Sequence, residues 1–241
     1  MSTLLQLNPT ILDTAVCRYH DDTCKIYIKP HEIYTLTSKA DINQLIQRKV
    51  ALLIQQCCSK YGFVLSGVSS TRSMTQSNRA LYKPLQIISR SVGEIPPEHL
   101  NGAFLYKICY RVFVCNPPIG KVLPVVVLDK NKLGIRCYYY PFQYDTETNT
   151  VSKSDVIKAN ANFIILFLPK ALHYTHTSDD SEETLADVYN AEEERIDTIE
   201  QDDDGRQPIL HVKILQKRFD INDKQISVVG VLAQPSSEEE S

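Results

Sequence analysis

Pro117-Pro-Ile-Gly-Lys-Val-Leu-Pro-Val-Val-Val-Leu-Asp-Lys-Asn-Lys-Leu-Gly-Ile-Arg-Cys-Tyr-Tyr-Tyr140 is the stretch on which the reading of the fold turns. Two prolines in a row remove two backbone donors and end whatever strand precedes them. Beyond them, two runs rich in β-branched and aromatic residues, Gly120 to Leu128 and Leu133 to Tyr140, are joined by Asp129, Lys130, Asn131 and Lys132, a hairpin connection. Phe163 to Leu168 reads as a third strand, and Ile209 to Phe219 with Gln225 to Leu232 as a fourth and fifth. Five short strands with one long connection suit a small closed barrel of the OB type.

Upstream of the prolines the periodicity changes. Phe104 to Cys115 is a long strand, and Gly93 to Gly102, carrying Pro96 and Pro97, is a loop. Ile42, Leu45, Ile46, Val50, Leu53, Ile54 and Cys57 form the stripe of an amphipathic helix, with Ser38 as N-cap and Gly62 as its stop. Shorter strands are expected at Cys24 to Ile28, Phe63 to Val68 and Tyr82 to Ile88. The expected organisation is an extension over residues 1–22 and an α+β unit over 23–116, an antiparallel sheet with one main helix. An all-β barrel follows over 117–235, with an acidic insertion at about 174–207 and a disordered acidic tail over 236–241.

The net charge of −3 conceals an asymmetry. Between Asp179 and Asp204 thirteen acidic residues face one base, Arg195, which leaves the rest of the chain at +9. A body of that sign attracts polyanions. The acidic tract reads either as a solvated, self-repelling loop or as a segment that mimics nucleic acid or docks on a basic partner. The longest apolar run, Phe163 to Leu168, is six residues against the ~20 needed to span a bilayer. Met1 to Pro9 carries no basic residue of a secretion signal. Seven irregularly spaced cysteines without Cys-x-x-Cys are expected to be reduced thiols of an intracellular protein, holding no disulfide and no zinc.

Enzymatic motifs are sparse. The eight glycines are dispersed, with no phosphate loop and no Gly-x-Ser-x-Gly elbow. His173 and His176 stand three apart, a spacing that could share a metal but lacks a third ligand. Cys57 and Cys58 are placed on the helix, and Cys109 and Cys115 within a strand. No catalytic residue, metal or cofactor is expected. What remains is a binding signal: Lys130, Lys132 and Arg136 flank Tyr138, Tyr139 and Tyr140, and Lys170 follows the third strand. Either these residues offer charge and stacking rings to RNA, through Lys130, Lys132, Arg136, Tyr138, Tyr140 and Lys170, or the tyrosines pack the barrel and the lysines are ordinary turn residues.

From Lys25 to Leu232 the chain resembles the stalk subunit of multi-subunit DNA-dependent RNA polymerases, a family that includes the seventh subunit of RNA polymerase II and its archaeal counterpart. The strings that carry the resemblance are Lys25-Ile-Tyr-Ile-Lys-Pro-His-Glu-Ile33, Lys60-Tyr-Gly-Phe-Val64, Gly102-Ala-Phe-Leu-Tyr-Lys-Ile-Cys-Tyr-Arg-Val-Phe-Val114, Pro117-Pro-Ile-Gly-Lys-Val122, Asn131-Lys-Leu-Gly-Ile135 and Val212 to Gly230 with its Asp220-Ile-Asn-Asp223 turn. The resemblance implies a non-catalytic subunit whose α+β tip domain docks on the polymerase core while the barrel projects near the exiting RNA. The core contacts it implies fall at Gly67, Ser69, Arg72, Pro96, Pro97 and Gly102. The implied partners are the largest, second-largest and small core subunits, a small helical stalk partner and nascent RNA, with no membrane. Ile28-Lys-Pro-His-Glu-Ile33 is similar to versions encoded by large cytoplasmic DNA viruses, which implies the host cytoplasm or the virion, the nucleus being the alternative. Phe167-Leu168-Pro169-Lys170 departs from barrels that place a polar residue there. Two other classes stand beside this reading: a free-standing OB-fold protein binding single-stranded RNA, and an enzyme working through Cys137 or His173.

Overall fold

The computed structural model describes residues 15–34, 39–54, 57–67, 83–97, 101–142, 144–153, 163–173, 185–201 and 205–233. The molecule is mostly β, with three helices among the described residues. The N-terminal half is built on β1 (Cys17–Ile28), which pairs antiparallel along its whole length with β7 (Phe104–Cys115) from Cys17↔Cys115 to Ile28↔Phe104. β2 (Cys58–Ser59) and β3 (Gly62–Val64) form a short hairpin beside the end of β7. β6 (Gln86–Arg90) pairs with its middle, and β4 (Ser66–Gly67) and β5 (Lys83–Pro84) make a separate parallel pair.

β1 starts at Cys17, so residues 17–22 belong to the sheet and not to an extension. Residues 18–22 show no apolar alternation, because Arg18, His20 and Asp22 occupy the face that later carries Ile26 and Ile28, and Asp21 lies on the other face. Pro30 does end the strand, and it then begins α1 (Pro30–Tyr34), where its missing N–H would be unpaired anyway. α2 (Lys39–Ile54) buries Ile46, Val50 and Ala51 against Ile26, Ile28, Ile108 and Val112 of the sheet. Ser38 lies outside the described residues. Cys57 and Cys58 are not helical, because Cys58 opens the β2–β3 hairpin. That turn needs Gly62, which sits at φ 133 with a would-be Cβ 2.5 Å from the Cys115 carbonyl oxygen.

Downstream, β8 (Val122–Asn131), β9 (Gly134–Tyr139), β11 (Ile164–Pro169), β12 (Arg206–Arg218) and β13 (Ile226–Leu232) close a five-stranded barrel, compatible with an OB type. The order is β8-β9-β11-β13-β12 and back to β8, and β11 and β13 are the parallel pair. β10 (Thr150–Ser152), absent from the sequence reading, adds to the outside of β12. Ile164, Leu166 and Leu168 point inward at 0 % exposure each, and Ile165, Phe167 and Pro169 between them are half-buried on the outside.

The acidic insertion is not simply a solvated loop. Leu185–Gln201 forms α3, which connects β11 to β12 and joins the barrel core through Tyr189 and Ile196, 1 % and 0 % exposed. Six of its residues are acidic, yet charges on the solvent side of a helix do not oppose an apolar stripe on the other. Arg195 ties it down by donating to the carbonyls of Thr148 and Asn149.

Two substitutions test this packing. Gly134→Ala would put a Cβ 2.1 Å from the Leu168 carbonyl oxygen, and it is expected to destabilise the barrel by about 2 kcal/mol or more in urea unfolding. Ile196→Ala is expected to lose roughly 2–4 kcal/mol, whereas exposed Glu194→Ala stays within about 0.5 kcal/mol. Equal effects at Ile196 and Glu194 would mean that α3 is not packed on the barrel.

Candidate nucleic-acid interface

The β8–β9 hairpin turns on Asn131, whose side-chain oxygen accepts from the backbone N–H groups of Leu133 and Gly134. Just before the turn a bulge between Val127 and Asp129 rotates the strand, and Leu128 stands 47 % exposed. The register sets Lys130 opposite Ile135 and Arg136 opposite Asp129, so Lys130 and Arg136 lie on opposite faces of the hairpin, with Lys132 exposed at its turn. Their charges are differently engaged. Lys130 Nζ lies 2.5 Å from an Asp197 oxygen and 3.6 Å from Glu193, both on α3. Lys170, just after β11, reaches the other oxygen of Glu193 at 3.1 Å and lies 5.8 Å from the centre of the Tyr189 ring. Arg136 pairs with Asp129 across the hairpin at 2.6 Å. Lys132 is exposed and has no ion pair among the described residues.

The tyrosines do not act as an outward stacking platform, which corrects the expectation for Tyr138 and Tyr140. Tyr138 is 6 % and Tyr140 0 % exposed. Burial pushes the Tyr138 hydroxyl up to about 12, and Tyr140 packs edge-on to Phe142 at 5.5 Å. Val126, the cross-strand partner of Tyr138, shares its face and is buried, and the next pair, Val127 and Cys137, is buried on the other face, so both faces of the hairpin are covered at this level. The aromatic ring that the sequence reading passed over is Phe167, outside the barrel directly across from Arg136 and beside Val229. Its ring leans over Gly134, whose would-be Cβ is 3.0 Å from Phe167 Cζ. Phe163 to Leu168 is apolar at every position, so the sequence itself does not mark which of these side chains face outward.

The residues expected to meet a polymerase core fall in separate places. Gly67 pairs with Pro84 in the small parallel ladder, and its neighbour Ser66 accepts from the Phe113 N–H near one end of β7. Pro96, half-buried, and Pro97, exposed, follow Glu94, which pairs with Leu105 near the other end, and Gly102 at φ 66 lies against Pro30. Eight residues of strand separate the two anchor points, about 27 Å at about 3.4 Å per residue. Ser69, Arg72 and His176 lie outside the described residues.

His173 is 1 % exposed, and both ring nitrogens are engaged. Nδ1 donates to the Pro169 carbonyl at 2.9 Å, and Nε2 accepts from the Leu232 N–H at 3.1 Å. It is a neutral structural imidazole stacked at a tilt on Tyr189. Among the described residues no group of three or more His, Cys, Asp or Glu side chains could hold a metal. All seven cysteines are free thiols. Burial, reinforced by Asp223, pushes Cys58 up to about 12, and burial pushes Cys24 up to about 11 and Cys137 higher still. These three thiols are protonated at neutral pH and are poor nucleophiles. His211, hydrogen-bonded to the Tyr144 hydroxyl at 2.9 Å, lines a cleft of about 450 Å³ between α3 and the barrel together with Arg195, Glu192 and Asn149. No family model and no curated protein sequence matches the chain.

Burial holds His173 and His211 below their ordinary value of 6.5, so the unfolded chain takes up these protons first as pH falls. Stability is then complete above about pH 6.5 and declines on acidification until the folded imidazoles also titrate. Urea midpoints measured from about pH 7.5 down to about pH 5 should fall, and His173→Gln should fall less steeply than the parent chain. Parallel curves would exclude His173 as a source of the slope.

Proposed function

We propose that this protein is a non-catalytic stalk subunit of a DNA-directed RNA polymerase, docking through its N-terminal α+β unit and holding an OB-type barrel beside the exiting RNA. The barrel strand order, with its third and fifth strands parallel and its first and fourth closing the seam, supports the OB assignment. The ordered strings from Lys25 to Leu232 support the family.

The observation that carries the docking reading is the distribution of exposed apolar side chains. Ile88, Val92 and Ile95 stand 48 %, 85 % and 60 % exposed along one short segment that leads into Pro96 and Pro97. On the same unit Tyr34 is 88 % exposed, and Leu52 and Leu53 on α2 are 77 % and 58 % exposed. Isolated apolar residues on a surface need no explanation, but a run of them beside a strand, β6, that among the described residues pairs on one side alone supports a protein-binding surface. A subunit held this way meets the largest, second-largest and small core subunits through this unit, with a small helical stalk partner and nascent RNA as further contacts. Among the described residues no helix is long and apolar enough to cross a membrane.

Tagged protein expressed in its native source should recover the two largest polymerase subunits. Val92→Asp with Ile95→Asp should weaken that recovery at least about tenfold while leaving thermal stability unchanged. Ile221→Asp on the barrel, at a site 65 % exposed, should have no effect. Recovery of ribosomal proteins, or of nothing, would favour a free-standing RNA-binding protein.

A further inference from the structure

Lys130 and Lys170 come from different strands, one at the end of β8 and one after β11, with β9 between them. Their ammonium groups nevertheless converge on a single carboxylate. Glu193 offers one oxygen to Lys130 at 3.6 Å and the other to Lys170 at 3.1 Å, and Asp197 adds a second acceptor to Lys130. Two cations gathered around one anionic group from separate elements is the arrangement a phosphate would meet, with Lys132 exposed at the neighbouring turn. Here the anion is supplied by the chain itself.

We infer that α3 is a built-in competitor for a single-stranded nucleic-acid site formed by Lys130, Lys132 and Lys170, with Glu193 and Asp197 standing in for backbone phosphates. The helix need not leave for the site to open. Its attachment rests on Tyr189, Ile196 and the Arg195 contacts to two carbonyls, none of which involves the two lysines as an ion-pair partner. The ion pairs themselves are partly solvent-exposed, with Asp197 48 % and Lys170 31 % exposed, and pairs of that kind exchange readily for phosphate oxygens. The consequence is a barrel whose affinity for nucleic acid is set low by its own helix, so that only a strand held close by other means displaces the carboxylates. The proposed function enters only in the choice of RNA as ligand. The test uses the isolated full-length chain, so failure to recover polymerase subunits would leave this inference standing, and the reverse also holds.

The probe is a fluorescein-labelled oligouridylate of about 15 nucleotides, titrated by anisotropy over a range of salt concentrations. Glu193→Gln with Asp197→Asn should tighten binding by about tenfold at low salt and steepen the slope of log affinity against log salt by about 1.4, the value for two added phosphate contacts on a single strand. Glu194→Gln with Glu200→Gln changes the net charge equally on exposed positions of the same helix and should leave the slope unchanged. Lys130→Gln with Lys170→Gln in the parent chain should alter affinity less than about twofold, because those charges are already neutralised. The same pair of lysine changes placed in the Glu193→Gln, Asp197→Asn background should abolish the gain. An equal gain from the two acid-neutralised variants, or a tenfold loss from the lysine changes in the parent chain, would overturn the inference. The lysine changes in the parent chain leave both acids in place, so a tenfold loss in that arm would overturn the inference even if loss of the acids impairs folding.

Discussion

The C-terminal end of β7 is a wall shared by two cores, and the rest of the structure is arranged around it. Val112 and Val114 face α2, while Phe113 and Cys115, one residue out of phase, face the barrel. A strand buried on both faces cannot be moved without disturbing both cores. The junction is reinforced on either side of it. The Phe63 ring stacks on Phe163 of the barrel at 5.3 Å, and the two backbone groups of Cys58 bond to Asn222 and Asp223 in the turn between β12 and β13. Asn116 adds a third tie, accepting from Lys217 and donating to the Tyr61 carbonyl. The double proline at 117 and 118 is thus a change of direction between two cores that share the end of one strand.

Because β12 runs antiparallel to β8, the β12–β13 turn lies at the opposite end of the barrel from the β8–β9 hairpin. The first end meets the N-terminal sheet through Cys58, and the second is crossed by α3. Both ends are therefore engaged within the chain, and among the described residues the flank of β9, β11 and β13 is the part with side chains still exposed or half-buried, where Arg136, Phe167 and Val229 lie in register. On the N-terminal unit the balance is different, with large apolar side chains left exposed along β6 and the segment after it.

Much of the fold was legible in the sequence because its burial is one-sided or its punctuation strong. β7 was read to the residue, since ten of its twelve positions are apolar and prolines follow it. The five barrel strands were found from β-branched runs separated by turn residues. The start of β1 was missed because Arg18, His20, Asp21 and Asp22 put polar side chains on both of its faces, and α3 was missed because the density of carboxylates hid Tyr189 and Ile196. The candidate site was less legible for a related reason. Composition can bring lysines and tyrosines to one hairpin, but it cannot say that Tyr138 is buried on its own face as fully as Cys137 is on the other, or that Glu193 and Asp197, far downstream, pair with Lys130. Those facts depend on tertiary contacts between segments far apart in the chain.

The central claim is that the N-terminal unit grips a polymerase while the barrel stands away from it. Lysine cross-linking with mass spectrometry on the complex isolated from its native source at low salt tests this most directly. The account predicts links from Lys83 and Lys107 to the two largest polymerase subunits and none to those subunits from Lys132 at the far hairpin. Links to the large subunits concentrated on Lys132 and Lys224 of the barrel, or a complex lacking those subunits altogether, would contradict it.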